Sequence, residues 1–162
     1  IGHVDNEGNI VSVYSNLVSQ ILFPDIGEQL DGLFPKFFPE KVRKKIAYAA
    51  TGYLSNTGLM GFIEGGDIVT FKYDFPNFRY DFTPIHVNVP VTAWRSVAHS
   101  YSTFIMETFI DHLAVTGGQE PFEARKHLLR AHPRYLAVLD SVVKHSRWGE
   151  PIEDGWGRGI AV

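Results

Sequence analysis

Apolar and polar residues alternate over residues 1–22 around Asn6-Glu7-Gly8-Asn9, with Ile10, Val11, Val13, Tyr14, Leu17, Val18, Ile21 and Leu22 following the turn. The β-branched and aromatic content and the turn chemistry predict a hairpin feeding a longer strand, although the spacing beyond Ser15 also suits a helix. From Phe23 to Pro39 the chain is dense in Pro, Gly and Phe, which breaks both periodicities and predicts a loop with buried aromatic anchors. Val42, Ile46, Ala47, Ala49 and Ala50 then recur at helical spacing, but Lys41, Arg43, Lys44 and Lys45 near the start oppose a helix dipole, so the pattern leaves this helix open. Two strands are predicted at 68–73 and 78–91, separated by the turn Asp74-Phe75-Pro76-Asn77, with Pro90 releasing the chain into an exposed connection.

From Ser100 the period becomes helical. Phe104-Ile105, Phe109-Ile110 and Leu113-Ala114 mark a first helix, with Ser100 or Ser102 as the cap and Gly117-Gly118 closing it. Pro121 opens a second helix and Pro133 a third, which Trp148-Gly149 ends. A charged, Gly-rich tail leads to a strand stub at Gly159-Ile160-Ala161-Val162. Strands first and helices second predict an α+β fold, a single module over 1–162 with strands and loops in 1–91 and helices in 99–148. Both ends read as parts of strands, so a piece of a longer polypeptide is expected.

Composition narrows the chemistry. A length of 162 residues suits one modest core, and a net charge of −3 lacks the basic footprint of a general nucleic-acid binder. The chain has no cysteine, which removes disulfides, thiolate catalysis and every Cys-ligated metal or iron–sulfur site. Among the histidines there is no HExxH; Glu107 and Asp111 share a helix face but His112 points about a hundred degrees away, so only two metal ligands converge. No GxSxG surrounds a serine, and the glycines between 52 and 66 do not form GxGxxG. Glu107 and Asp111 remain readable either as an acid/base pair or as solvated surface carboxylates.

The informative stretch is Val91-Thr92-Ala93-Trp94-Arg95-Ser96-Val97-Ala98-His99-Ser100-Tyr101. It sets a large aromatic and a permanent cation before a helix N-terminus, where free N–H groups favour an anion. The alternative packs Trp94 in the core and pairs Arg95 with a carboxylate.

These residues resemble a family. Trp94-Arg95-Ser96-Val97-Ala98-His99, Glu107 and Phe109-Ile110-Asp111-His112-Leu113-Ala114 look like the FRGFG loop and ESxIDELA helix of the xanthine dehydrogenase and aldehyde oxidase family of molybdenum hydroxylases. The WRSVxHS variant is similar to the large subunits of isoquinoline 1-oxidoreductase and membrane-associated aldehyde dehydrogenases. Downstream, Gln119 to Leu129 resembles a DPLExRxxLL helix, and His132-Pro133-Arg134, Trp148-Gly149-Glu150-Pro151 and Gly157-Arg158-Gly159-Ile160-Ala161 match HPR, WGxP and GRGIA. The similarity covers roughly residues 74–162.

The resemblance implies part of a molybdopterin-binding catalytic subunit that hydroxylates aldehydes or N-heterocycles with oxygen from water. Trp94, Arg95 and Ser96 are then expected at the cofactor and Val97 and His99 in the substrate pocket; Val97, standing where an aromatic would stack, argues against purines. Ser96 and Ala98 replace glycines of the pattern, which makes a close backbone approach to the cofactor harder. The catalytic glutamate, the GxFGxK cofactor loop and the cluster cysteines of the family are absent from this chain, so no catalytic residue is assigned. The piece alone is expected to be inactive and without bound cofactor. The full subunit would carry molybdenum–molybdopterin, in its cytosine dinucleotide form. Its partners would be the remainder of the large subunit, an iron–sulfur small subunit or domain and a small aldehyde or N-heterocycle, with no nucleic acid. A bacterial periplasmic or membrane-associated location follows from the same resemblance. The competing reading is a non-catalytic interaction module that uses the Phe/Pro-rich loop, residues 23–38, as a partner surface.

Overall fold

A computed structural model describes residues 1–20, 31–55, 71–85, 87, 89, 91 and 94–162. Strand β1 (Gly2–Val4) pairs antiparallel with β2 (Ile10–Gln20), Gly2 opposite Val13 and His3 opposite Ser12, with an irregularity between His3 and Val4. Strand β3 (Asn77–Ile85) lies on the other side of β2, giving a sheet of order β1-β2-β3. Between β2 and β3 stand a short 3-10 turn (Asp31–Leu33) and helix α1 (Glu40–Ser55). Helices α2 (His99–Thr116), α3 (Pro121–Leu128) and α4 (Pro133–His145) follow. The α+β fold class expected from the sequence is observed, with α1 as a fourth helix beside the three expected.

Local chemistry explains most boundaries. In the hairpin turn the Asp5 carboxylate accepts the N–H groups of Glu7 (2.9 Å) and Asn9 (2.8 Å), which holds its pKa below the ordinary carboxylate value. Helix α2 closes in a Schellman arrangement, with Gly118 at φ +70°, Gly118 N–H on the Val115 carbonyl (3.0 Å) and Gln119 N–H on that of Ala114 (2.8 Å). Glu120 caps α3, one carboxylate oxygen accepting from the N–H groups of Phe122 and Glu123 while the other accepts from the Trp148 indole at 2.9 Å.

Several expectations are corrected. Residues 71–73 form no strand, residues 68–70 lying outside the described residues; instead Asp74 N–H reaches the Leu128 carbonyl at 2.9 Å. Strand β3 ends at Ile85, one residue past Pro84, whose missing N–H weakens the ladder there, and the described residues 87, 89 and 91 are not strand, so the strand expected over 78–91 ends early. Neither Ser100 nor Ser102 caps α2: the Ser100 hydroxyl donates to the Arg95 carbonyl at 3.2 Å, and Ser102 is fully buried inside the helix. The tail from Gly159 to Val162 is irregular, although Ile160 is buried. The expected loop anchors at 23–30 fall outside the described residues, while Leu33 and Phe37 beside them are exposed.

The chain gathers into two compact units. The first comprises Ile1–Tyr14, Phe71–Arg79 and Phe104–Val162 and contains a continuous apolar interior: Ile10, Val13, Met106, Ile110, Leu113, Ala114, Ala124, Leu128, Leu129 and Leu139 are buried there. The second comprises the described residues of Ser15–Thr70 and Tyr80–Thr103, among which only Ala47, Ala98 and Ser102 are buried.

Candidate functional site

The sequence-predicted residues Trp94, Arg95, Ser96, Val97 and His99 all fall on one tight turn leading into α2, within the second unit. Trp94 is 79% exposed, so it does not pack in a core, and Arg95 is exposed with no ion pair among the described residues. The alternative of a buried tryptophan and a carboxylate-paired arginine is therefore set aside. His99 and Val97 are exposed on the same turn.

Hydrogen bonding makes this turn a donor surface. Every carbonyl from Trp94 to Ala98 accepts a bond: Trp94 from Val97 N–H (2.9 Å), Arg95 from the Ser100 hydroxyl (3.2 Å), Ser96 from His99 N–H (2.9 Å), Val97 from Ser100 N–H (3.3 Å) and Ala98 from the N–H groups of Tyr101 (3.2 Å) and Ser102 (3.0 Å). The N–H groups of Arg95, Ser96 and Ala98 make no hydrogen bond among the described residues. The first helical N–H groups are consumed by the turn, so the free donors lie upstream of the helix rather than at its N-terminus, a shift from the sequence expectation.

The backbone conformation is costly. Ser96 has φ +77° and Val97 φ +46°, two consecutive left-handed residues without glycine, and for a β-branched side chain that region is a steric outlier. Each such residue costs on the order of 1–3 kcal/mol, a strain that persists only where surrounding structure enforces it and that concentrates at functional sites. Ser96 thus occupies a conformation that glycine takes without strain.

The carboxylates that sequence reasoning left open belong to a different construction in the first unit. Arg125 of α3, fully buried, spends all five of its N–H donors. Its Nε and Nη2 donate to Glu107 Oε2 at 3.0 and 2.8 Å, Nη2 also to the Glu107 carbonyl at 3.1 Å, and Nη1 to Asp111 Oδ1 at 2.5 Å and the Pro121 carbonyl at 3.1 Å. The Tyr73 hydroxyl donates to the same Glu107 carboxylate, 2.9 and 3.0 Å from its two oxygens. Glu107 and Asp111 are therefore neither a metal pair, a solvated surface nor a free acid/base couple; they clamp α3 to α2. Burial works against the Arg125 charge, but the bonds to Asp111 and Glu107 and the Tyr73 hydroxyl hold its pKa above the ordinary value. No cluster of three His, Asp or Glu able to hold a metal occurs among the described residues.

Sequence reasoning missed Arg125 and Tyr73. The signal was two carboxylates one helical turn apart, Glu107 and Asp111, together with a cation flanked by Ala124 and Leu128 on a neighbouring amphipathic helix.

Tyr73 also gives a pH signature. Burial and the adjacent Glu107 charge raise its pKa well above the ordinary value near 10, only partly offset by Arg125. Tyr80 is pushed up to about 12 by burial and by Tyr101. A phenol whose folded pKa is raised keeps its proton in the native state after the unfolded chain has lost it, so its contribution is complete below pH 10 and declines as the pH rises through the folded value. Denaturant titrations between pH 8 and pH 11 are expected to show stability falling above about pH 10. The Tyr73→Phe variant should be less stable at pH 8 but flatter across that range; an equal slope for variant and parent would contradict the assignment.

A family model described as the molybdopterin cofactor-binding domain matches residues 44–129, more than half of the chain. The match takes in the Trp94–His99 turn, both carboxylates and Arg125, begins earlier than the resemblance read from the sequence and ends before its HPR, WGxP and GRGIA stretches. No curated protein and no solved structure gives a significant match.

Proposed function

The chain belongs to the molybdopterin cofactor-binding domain family, and on that premise we propose that it supplies one wall of the cofactor site in the large subunit of a molybdenum-dependent hydroxylase acting on aldehydes or N-heterocycles. When bound, the cofactor supplies two-electron oxidation at molybdenum with oxygen drawn from water. The residues of this chain hold and orient it. The Arg95 guanidinium and the N–H groups of the exposed Arg95 and Ser96, which have no partner among the described residues, suit the anionic edge of such a group, the combination of fixed donors and a permanent cation that recognises oxyanions. The exposed Trp94 indole offers a flat apolar surface beside them, while Val97 and His99 line the substrate side.

The turn whose carbonyls are all engaged, while the N–H groups of its exposed residues Arg95 and Ser96 have no partner among the described residues, is the observation that carries this reading. No proton acceptor is assigned to this chain, because Glu107 and Asp111 are held by Arg125; a base would come from elsewhere in the enzyme. The isoquinoline 1-oxidoreductase type, the cytosine dinucleotide form of the cofactor, an iron–sulfur partner and a periplasmic or membrane-associated location belong to the same proposal and rest on the motif resemblance, as does inactivity of this piece alone.

A charge-assisted hydrogen bond contributes about 1.5–3 kcal/mol, so Arg95→Ala in the complete enzyme is expected to weaken cofactor retention roughly 10- to 100-fold. Arg95→Lys should recover part of the loss, since it keeps the charge but not the fork. Molybdenum by elemental analysis and pterin by fluorescence after oxidation measure the effect. Molybdenum content and turnover equal to the parent's in Arg95→Ala would sink the role given to this turn.

A further inference from the structure

The sequence holds two Asp-Gly pairs, Asp31-Gly32 and Asp154-Gly155, and the fold treats them differently. Asp31 opens the 3-10 turn Asp31–Leu33, against which α1 packs, so helical hydrogen bonding holds its main-chain angles. Asp154 and Gly155 are instead the central residues of an exposed turn, in which the Trp156 N–H donates to the Glu153 carbonyl at 3.1 Å. Gly155 stands at φ +84° and Asp154 is not left-handed, the type II pattern. Neither the Asp154 carboxyl group nor the Gly155 N–H has a hydrogen-bond or ion-pair partner among the described residues. A Cβ built on Gly155 meets nothing within 4 Å, so no neighbour crowds that side of the turn.

We propose that Asp154-Gly155 is a modification site, where a succinimide forms spontaneously and opens to isoaspartate, and that the isoaspartyl form is a substrate for a carboxyl methyltransferase using S-adenosylmethionine. The Gly155 nitrogen attacks Asp154 Cγ, the new C–N bond replaces a C–O bond, and the amide proton leaves with the carboxyl hydroxyl as water. Water then adds back to the cyclic imide, and attack at the former main-chain carbonyl leaves the chain running through Cγ. The transferase moves a methyl group from the sulfonium to the carboxylate so exposed. Glycine places no side chain against the attacking nitrogen. Ring closure needs rotation about the Asp154 Cα–C bond, so the turn must open first, and one hydrogen bond between exposed residues opens locally at little cost. The same rotation at Asp31 breaks a helical turn and its packing against α1. The added main-chain methylene draws the Trp156 N–H off the Glu153 carbonyl, and both residues line, with Arg147, Ile152 and Arg158, a cleft of about 510 Å³. The inference is independent of the molybdenum reading.

The full chain is kept for weeks at neutral pH and physiological temperature, folded or in urea, then labelled with an isoaspartate-specific methyltransferase and tritiated S-adenosylmethionine, and the labelled peptides are mapped. In the folded chain the peptide holding Asp154 should carry at least about fivefold more label than the one holding Asp31, and in urea the two should draw level. Asp154→Glu, whose longer side chain closes a larger ring far more slowly, should bring the label in its peptide to background and leave Asp31 unchanged. Equal label at the two pairs in the folded chain, no label at Asp154, or label there that survives Asp154→Glu overturns the proposal.

Discussion

Replacing Arg125 with alanine is expected to lower the unfolding free energy by about 3–5 kcal/mol, because it leaves a buried carboxylate without its counter-charge. At the scale of a chain this long, that corresponds to a melting temperature roughly 10 °C lower. The size follows from the geometry: the guanidinium is fully buried, Glu107 is nearly so, and five donors converge on the carboxylates of Glu107 and Asp111 and on two backbone carbonyls, those of Glu107 and Pro121. The comparison that isolates the charge is the double variant Arg125→Met with Glu107→Gln, which removes both ions at nearly constant volume and should restore most of the loss. Thermal and urea unfolding of the three proteins checks this. A cost below about 1 kcal/mol for Arg125→Ala would place the pair in the exposed class and remove its role as the link between α2 and α3.

That network also shows how far the sequence was legible. Helices α2, α3 and α4 follow from periodicity, from Pro121 and Pro133 at helix starts and from Gly117-Gly118 at a helix end, all local signals that local physics resolves. The carboxylate ambiguity could not be resolved locally. Spacing places Glu107 and Asp111 on one face, but whether that face meets water, a metal or an arginine depends on which helix packs against it. Helix α1 illustrates a second limit. Its apolar spacing is readable, yet Val42 and Ile46 are exposed and Ala47 alone is buried among its described side chains, because periodicity states that a helix has an apolar side and not where that side points. The sequence predicts a strand over 68–73 ahead of the Asp74–Asn77 turn; among its described residues and the turn, Phe71, Tyr73, Phe75 and Phe78 instead follow one another with ring centroids 6.1, 6.1 and 5.8 Å apart, and hydrogen bonding goes to Glu107 and Leu128 rather than to a ladder. The Trp-Arg pair locates the candidate cofactor turn, but not its N–H groups without a partner among the described residues, since these depend on the left-handed conformations of Ser96 and Val97, which a serine and a valine disguise.

The second large effect is expected at Gly8. Its φ is +85°, and a Cβ built on it would collide with the Gly117 carbonyl oxygen; a Cβ on Gly117 would in turn meet the Gly8 carbonyl. The β1–β2 turn and the C-terminal end of α2 thus meet through two glycines, beside a bond from Gln119 Nε2 to Asn9 Oδ1 at 3.1 Å. Gly8→Ala adds left-handed strain, about 1–2 kcal/mol, to an overlap that backbone atoms on both sides cannot relieve by a rotamer change, typically about 1–3 kcal/mol more. A total near 3 kcal/mol is expected. Gly118→Ala supplies the control, because Gly118 is also left-handed, at φ +70°, but a Cβ there meets nothing within 4 Å. It should cost about 1–2 kcal/mol from strain alone. Urea denaturation of both variants separates the two contributions, and an equal loss at Gly8 and Gly118 would show that the hairpin does not rest on the end of α2 through these two glycines.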